Sequence, residues 1–315
     1  MLVGPGGTML PNLESRRLLE IVIRASQAAA QVVRKITSMK SYRCPNDGLG
    51  DAGVDDYHRA PPLDQAAQAA IEGVIRPVNS DCLIISEESL PSHSAISEFK
   101  GDLCFVVDPL DGSAFAKRRI PLASSSVCAY SLKEGSPIAS AVTDVFIGKT
   151  YYAARHTDGA WAVLGRDRVR IFTSGCSCLR LSACSAFGTH PDRLSALVEQ
   201  REFVRRVGWL LNSGGALDIC RVAAGDLDAS VEFAKGFRIW DIAAAAHILH
   251  TAGGEFGTPD HSQIPLTQEP RTRSCFIAAA TAELFDEITR CITWRAGAAQ
   301  PGPSNKARGV REPGS

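Results

Sequence analysis

An α+β fold that passes into α/β in its second half is what this 315-residue sequence predicts. Three observations predict it. Helical periodicity opens the chain, short broken apolar runs fill its middle, and strands alternate with helices from about residue 166 onward. Leu18, Val22, Ala25, Ala29, Val32 and Ile36 recur at steps of four and three, which is one face of an amphipathic helix over 13–38. Residues 41–63 are loop-like in their Gly, Pro and Asp content, and a second helix runs over 65–76 until Pro77 stops it. Residues 82–85 and 103–107 are short apolar runs rich in β-formers, hence buried strands. Antiparallel strands are predicted at 126–132, 140–145 and 150–154, where Gly and Pro break the pattern.

Beyond residue 166 the sequence predicts helices at 191–200, 215–224, 242–252 and 282–291. Strands are predicted at 204–207, 229–233 and 274–278. The chain thus divides into an N-terminal α+β half, 11–165, with helices on an antiparallel sheet, and a C-terminal α/β half, 166–294. Residues 1–10 and the Gly-, Pro-, Arg- and Ser-rich 295–315 are expected to be disordered tails. A chain of this length buries roughly 75% of the surface its unfolded form exposes, enough for a sizeable core.

Lys+Arg and Asp+Glu number 34 each, so formal net charge is zero. Without a basic excess, neither nucleic acid nor an anionic membrane is an expected partner. No apolar run approaches the length of a membrane span, and Met1–Leu10 lacks a signal peptide's basic and apolar segments. The expected location is the cytoplasm. The ten cysteines are scattered without a CxxC pair, and Cys82, Cys104, Cys128, Cys220 and Cys275 sit in apolar runs. They read as small buried hydrophobes rather than metal or redox groups.

The chemistry lies in the acids. Glu87-Glu88 follow one predicted strand and Asp108-Pro109-Leu110-Asp111-Gly112-Ser113 follow the next. Ligands bind at the carboxyl ends of strands in open α/β sheets, so the two groups are placed to converge. Clustered carboxylates repel one another unless a cation lies between them, and an all-oxygen set suits Mg²⁺ better than Zn²⁺. A Glu pair alone is more often a solvated turn. The second motif is stronger, because Pro109 fixes φ and orients the Leu110 carbonyl, and Gly112-Ser113 lead into a helical turn with free N–H groups. Trp240-Asp241 opens the Ala-rich helix that Gly253-Gly254 ends, and Asp64 precedes the second helix. Taken singly, Asp241 and Asp64 read as N-caps. The acids decide jointly.

In that order, Glu87-Glu88, Asp108-Pro109-Leu110-Asp111-Gly112-Ser113 and Trp240-Asp241 with Gly253-Gly254 resemble the signature of the inositol monophosphatase family. The likeness extends over about 13–293, through Ile120-Pro121 and the run from Ala216-Leu217-Asp218 to Asp228-Ala229. It implies a layered αβαβα sandwich, usually a homodimer, with two or three Mg²⁺ at each active site. By resemblance, Glu87, Asp108, the Leu110 carbonyl and Asp111 would hold the first metals, and Asp241 would join Asp108 and Asp111 at a second. Asp64 would help bind a third and activate water with Ser113, so that Asp64, Ser113 and Glu87 form the implied catalytic set. Gly112 and Ser113 would hold the phosphate, and Gly215 and Glu232 would contact sugar or inositol hydroxyls.

Three departures from the family pattern stand out. Pro61 replaces the Thr usual three residues before Asp64, after a loop with no clear match for the family's lysine. Phe115-Ala116 replaces Asn-Phe after the turn, and Glu232 and Asp241 lie two residues further apart than is typical. Arg238, three residues before Asp241, resembles archaeal members that accept both inositol phosphate and fructose bisphosphate. The expected activity is Mg²⁺-dependent hydrolysis of inositol 1-phosphate, a small-molecule substrate, with fructose 1,6-bisphosphate as a second. The rivals are a primary fructose-1,6-bisphosphatase, a 3′(2′),5′-bisphosphate nucleotidase, and a non-catalytic sugar-phosphate sensor on the same fold. Gly148-Lys149-Thr150 lacks the earlier glycine of a P-loop, and no Gly-x-Ser-x-Gly elbow is present.

Overall fold

The structure is a computed structural model that describes residues 10–39, 62–155, 157–188, 191–258, 260–262, 264 and 270–293. Both expected tails, apart from Leu10, and most of the 41–63 loop lie outside the described residues. Helix α1 (Leu10–Ser38) and α2 (Pro62–Ile75) come first, followed by β1 (Leu83–Ser86), α3 (His93–Glu98), β2 (Leu103–Asp111) and α4 (Ser113–Lys117). Five strands follow: β3 (Ser124–Ser131), β4 (Ser136–Asp144), β5 (Thr150–Ala154), β6 (Ala160–Leu164) and β7 (Asp167–Ile171). The remainder comprises β8 (Ala183–Ala186), α5 (Pro191–Glu199), α6 (Arg201–Arg206), β9 (Trp209–Leu211), α7 (Ala216–Ala223), β10 (Ala229–Phe237), α8 (Ile239–Thr251), β11 (Glu255–Gly257), β12 (Ser274–Ala279) and α9 (Ala282–Cys291).

Strands β1 to β7 form one sheet in chain order, with β1 and β2 parallel and the rest antiparallel. The second sheet runs β11-β12-β10-β8-β9. Side-chain alternation turns these sheets into layers. Phe105 and Val107 of β2 face the core beneath α1 and α2, with Val22, Ala29 and Ile71. Cys104 and Val106 face the opposite way, onto α7 and α8, which also touch Phe276 and Ala278 of the second sheet. Ile277 and Ala279 face the outer core with Phe203, Leu284 and Phe285. The order is therefore αβαβα. Helix α8 is buried between two sheets, and its Ala243-Ala244-Ala245 run lets both approach closely.

Several expectations are corrected. Residues 204–207 are not a strand. Phe203 is buried and Val207 packs beside it, an i, i+4 spacing that makes α6, and the strand comes later as β9. Strand β7 belongs to the first sheet although it lies beyond residue 166, and β6, β8 and β11 complete the sheets in segments too short or too mixed to show a period. Asp64 lies within the first turn of α2, behind a Pro62 whose missing N–H would have no helical partner, so it does not cap the helix. Asp241 likewise lies inside the first turn of α8, with Arg238 at the N-cap.

One part-buried polar contact between α8 and β4 yields a prediction. The Nδ1 atom of part-buried His247 on α8 lies 2.9 Å from the Ser140 hydroxyl on β4. Burial, with Arg155 next, pushes its pKa down to about 4. The unfolded chain therefore binds a proton that the folded chain refuses, and this stability is lost as pH falls from about 6.5 towards 4. Relative to His247→Gln, the wild type should lose about 1–2 kcal/mol between pH 7 and pH 5. Thermal melts of both proteins across that range check it, and a constant difference would rule it out.

Candidate active site

The site forms where β1 and β2 end beside the start of α8. Because β1 and β2 are parallel, Ser86 pairs with Val107, and the residues that follow emerge at one edge. The acids of the second motif are not beyond β2 but in its last residues. Pro109 cannot donate to the ladder, and the register with β3 slips between Asp108 and Asp111. That slip brings both carboxyls to the same edge. Asp108 is 2% exposed and its Oδ1 accepts the Leu110 N–H at 3.0 Å.

Glu87, Asp108 and Asp241 offer carboxylate oxygens that all lie within 4.8 Å of one another. Glu87 is exposed, whereas Asp108 and Asp241 are enclosed. Burial first, then the charge of Glu87, raises Asp108 well above the usual carboxylate range, and the same two causes raise Asp241. Asp111 is raised by burial and then by Asp241. This oxygen-only, mutually repelling set fits a hard divalent cation. Asp111 stands slightly apart, since its Oδ2 accepts the Ala216 N–H at 2.8 Å and ties β2 to the start of α7. Gly215, at φ 111°, permits that contact, because a Cβ there would lie 2.3 Å from Asp111 Oδ2.

Gly112 adopts φ 78° at the N-cap of α4, and a Cβ would strike the Leu122 carbonyl at 2.4 Å. The glycine turn sets Ser113 so that its hydroxyl meets both Asp64 Oδ1 and, at 2.9 Å, the Leu110 carbonyl. Asp64 is 3% exposed, and its second oxygen, Oδ2, has no hydrogen-bond partner among the described residues. Burial lifts its pKa to about 6, against the opposing hydrogen bond from Ser113. A buried carboxylate with an open oxygen beside a hydroxyl is suited to take a proton from water.

Arg238 reaches the same edge. Its backbone N–H donates to Asp241 Oδ2 at 2.7 Å, and its Nη1 lies 3.6 Å from Glu87 Oε1. Its Nε is buried without a hydrogen-bond partner among the described residues. Glu232 contacts none of these residues by hydrogen bond. Instead, the turn after it folds back on its carboxylate. Sequence reasoning did not single out Arg193, Arg273 or Lys117, whose charges act on Glu232, Asp241 and Asp64 respectively. It weighed Glu88 only as part of a pair, yet burial and then Asp64 raise Glu88 to about 7.

A sequence profile of the inositol monophosphatase family matches residues 14–294. The chain belongs to that family. This inositol monophosphatase family member is accordingly a phosphomonoesterase of a metal-dependent family. The fructose-1,6-bisphosphatase/inositol-1-monophosphatase of Methanothermobacter thermautotrophicus is 29% identical over 236 residues, 73% of this chain and 82% of its own. The Nus factor SuhB of Haemophilus influenzae is 29% identical over 246 residues, 75% of this chain and 83% of its own. Among solved structures, Mycobacterium tuberculosis SuhB superposes with a TM-score of 0.66 at 25% identity, covering 88% of this chain and 96% of its own. An inositol monophosphatase from Anabaena shares the fold, with a TM-score of 0.67 at 22% identity over 89% of this chain and 96% of its own. Among the described residues, no helix is long and apolar enough to cross a membrane.

Proposed function

We propose that this family member hydrolyses inositol 1-phosphate to inositol and phosphate with Mg²⁺, and accepts fructose 1,6-bisphosphate as a second substrate. The observation that carries this reading is the convergence of Glu87, Asp108 and Asp241 beside the Asp64–Ser113 pair. The name of the Methanothermobacter relative, which joins both activities, supports the substrate pair. Glu87, Asp108, Asp111, Asp241 and the Leu110 carbonyl would hold the cations, with Asp64 at a further one. When bound, the cations would neutralise these carboxylates and withdraw charge from the phosphoryl oxygens.

The chain's own residues do the rest. Ser113 hydrogen-bonds to Asp64, and Asp64 takes the proton from the water whose oxygen attacks phosphorus. The ester P–O bond breaks as the new one forms, the departing alkoxide takes a proton from solvent water, and Asp64 returns its own proton to solvent. The backbone N–H groups of Gly112 and Ser113 hold the phosphate while Gly215 and Glu232 face the polyol hydroxyls. No phosphoenzyme is needed. The reading includes lithium sensitivity, a cytoplasmic location and a homodimer; the dimer is supported by β9, the last strand of its sheet among the described residues, where Trp209 is 74% exposed, and sedimentation as a monomer would contradict it. The decisive assay is phosphate release from inositol 1-phosphate, fructose 1,6-bisphosphate and adenosine 3′,5′-bisphosphate with Mg²⁺, repeated with Li⁺. Preference for the adenosine compound would overturn the substrate reading.

Arg238 separates the two preferred substrates. A guanidinium offers forked donors to phosphate oxygens, and fructose 1,6-bisphosphate alone carries a second phosphate. Arg238→Ala should lower kcat/KM for the bisphosphate selectively, by about 10- to 150-fold. If Arg238 only neutralises Glu87, both substrates will lose alike, and the distal-phosphate role is refuted.

A further inference from the structure

Beyond the acid edge lies an ion pair that departs from the geometry of a structural salt bridge. Arg193, on α5, is 8% exposed, and its guanidinium stacks 4.2 Å from the Phe187 ring centre and 5.5 Å from that of Phe237. Those rings lie 5.6 Å apart, so two aromatic faces hold the cation. Its Nη1 is 4.0 Å from Glu232 Oε2, in contact as charges but too far for a hydrogen bond. Glu232 lies on β10, the strand that leads at Phe237 directly into α8 and Asp241.

Glu232 is 1% exposed, and its two oxygens are treated very differently. The β10–β12 register breaks between Glu232 and Phe237, and the freed segment turns back onto the carboxylate. Oε1 accepts the N–H groups of Ala234, Lys235 and Gly236 at 2.9, 2.9 and 3.1 Å. Oε2 is buried and accepts no hydrogen bond among the described residues. A pair serving stability alone gains little over apolar packing, and less still when one oxygen is left unsatisfied. An orphan acceptor, fixed by three amides and steadied by an adjacent cation, is what a ligand hydroxyl requires.

We propose that Arg193 is a positioning residue that holds the Glu232 carboxylate in place, leaving Oε2 to accept a hydroxyl of the polyol leaving group. The inference rests on the polyol-phosphate reading given above and adds a residue to it. Arg193 touches neither phosphate nor cation. It acts through Glu232, and its effect is confined to substrates that bring a hydroxyl to that oxygen.

The test compares wild type, Arg193→Met, Arg193→Lys, Glu232→Gln and the Arg193→Met/Glu232→Gln double variant. Each is assayed on inositol 1-phosphate or fructose 1,6-bisphosphate, whichever the wild type prefers, and on p-nitrophenyl phosphate, which has no polyol hydroxyl. Arg193→Met should raise KM for the polyol phosphate about tenfold, while kcat on p-nitrophenyl phosphate stays within about twofold. Arg193→Lys should recover part of the loss, and the double variant should be no worse than Glu232→Gln alone. In thermal melts each single charge-removing variant should lose several degrees, and the double variant less than their sum. Equal losses on both substrates, or multiplicative losses in the double variant, would overturn the proposal. If Glu232→Gln impairs the polyol phosphate and Arg193→Met does not, the positioning role falls while the polyol reading stands. If Glu232→Gln changes nothing, the polyol reading of Glu232 falls, and the role of Arg193 with it.

Discussion

Asp108→Asn and Asp241→Asn are each expected to lower kcat/KM by about 10³-fold or more at saturating Mg²⁺, without unfolding the protein. Among the described residues Asp108 accepts one hydrogen bond, from the Leu110 N–H, and an Asn oxygen can accept it equally well. The substitution removes a ligand charge from a buried group raised by desolvation and by Glu87, Asp111, Asp241 and Asp64. Its sign on stability is therefore opposite to its sign on activity. Without cations the folded state holds protons on these acids at pH values where the unfolded state has released them. Stability is accordingly lost as pH rises from about 4 through the raised values. The Asn variants escape that loss. In chelator they should melt at or above the wild type at pH 8, with the advantage shrinking towards pH 4. Near-wild-type turnover in either variant, or a fall in melting temperature at pH 8, would contradict the assignment.

Asp64→Asn should lower kcat by about 10²- to 10⁴-fold with KM little changed. The Asn oxygen still accepts from Ser113, so the local geometry survives while the proton acceptor is gone. Burial lifts Asp64 to about 6, close to the operating range of a base acting near neutrality. The acidic limb of the wild-type kcat profile should therefore disappear in the variant, as read by pH-dependent phosphate release. A variant that keeps kcat and only needs more Mg²⁺ would reduce Asp64 to a metal ligand.

The legible part of the site was the part whose backbone is unusual. Pro109 and Gly112 are needed because the chain slips register and then turns through positive φ against the Leu122 carbonyl, and both leave a mark in the sequence. The long helices and the buried strands of the first sheet were legible because each buries a whole face. Arg193 and Arg273 left no mark, since they come from α5 and from the approach to β12 and meet Glu232 and the Gly236 carbonyl across the fold. An arginine that acts across the fold has no local period. The edge strands were lost for a related reason. β7 is exposed until Ile171, and its alternating Asp, Arg and Val resemble a loop until β6 is there to pair with it. Val204 and Val207 predict a strand at 204–207 where α6 stands, because two apolar positions cannot distinguish one helical turn from a short extended run.

The provenance of the three clustered acids has a consequence for the molecule as a whole. Glu87 and Asp108 follow or end strands of the first sheet, while Asp241 belongs to the helix layer sandwiched between the two sheets. A cation held by all three is a rivet through two layers, and one that binds only the assembled protein shifts its unfolding equilibrium by mass action. At a hundred times its dissociation constant that shift is about 2.7 kcal/mol. Free divalent-ion concentration then becomes a thermodynamic variable of the fold as well as of the reaction. Ion capture and the cohesion of the two layers would then be a single event, because the carboxylates that hold the ion come from both.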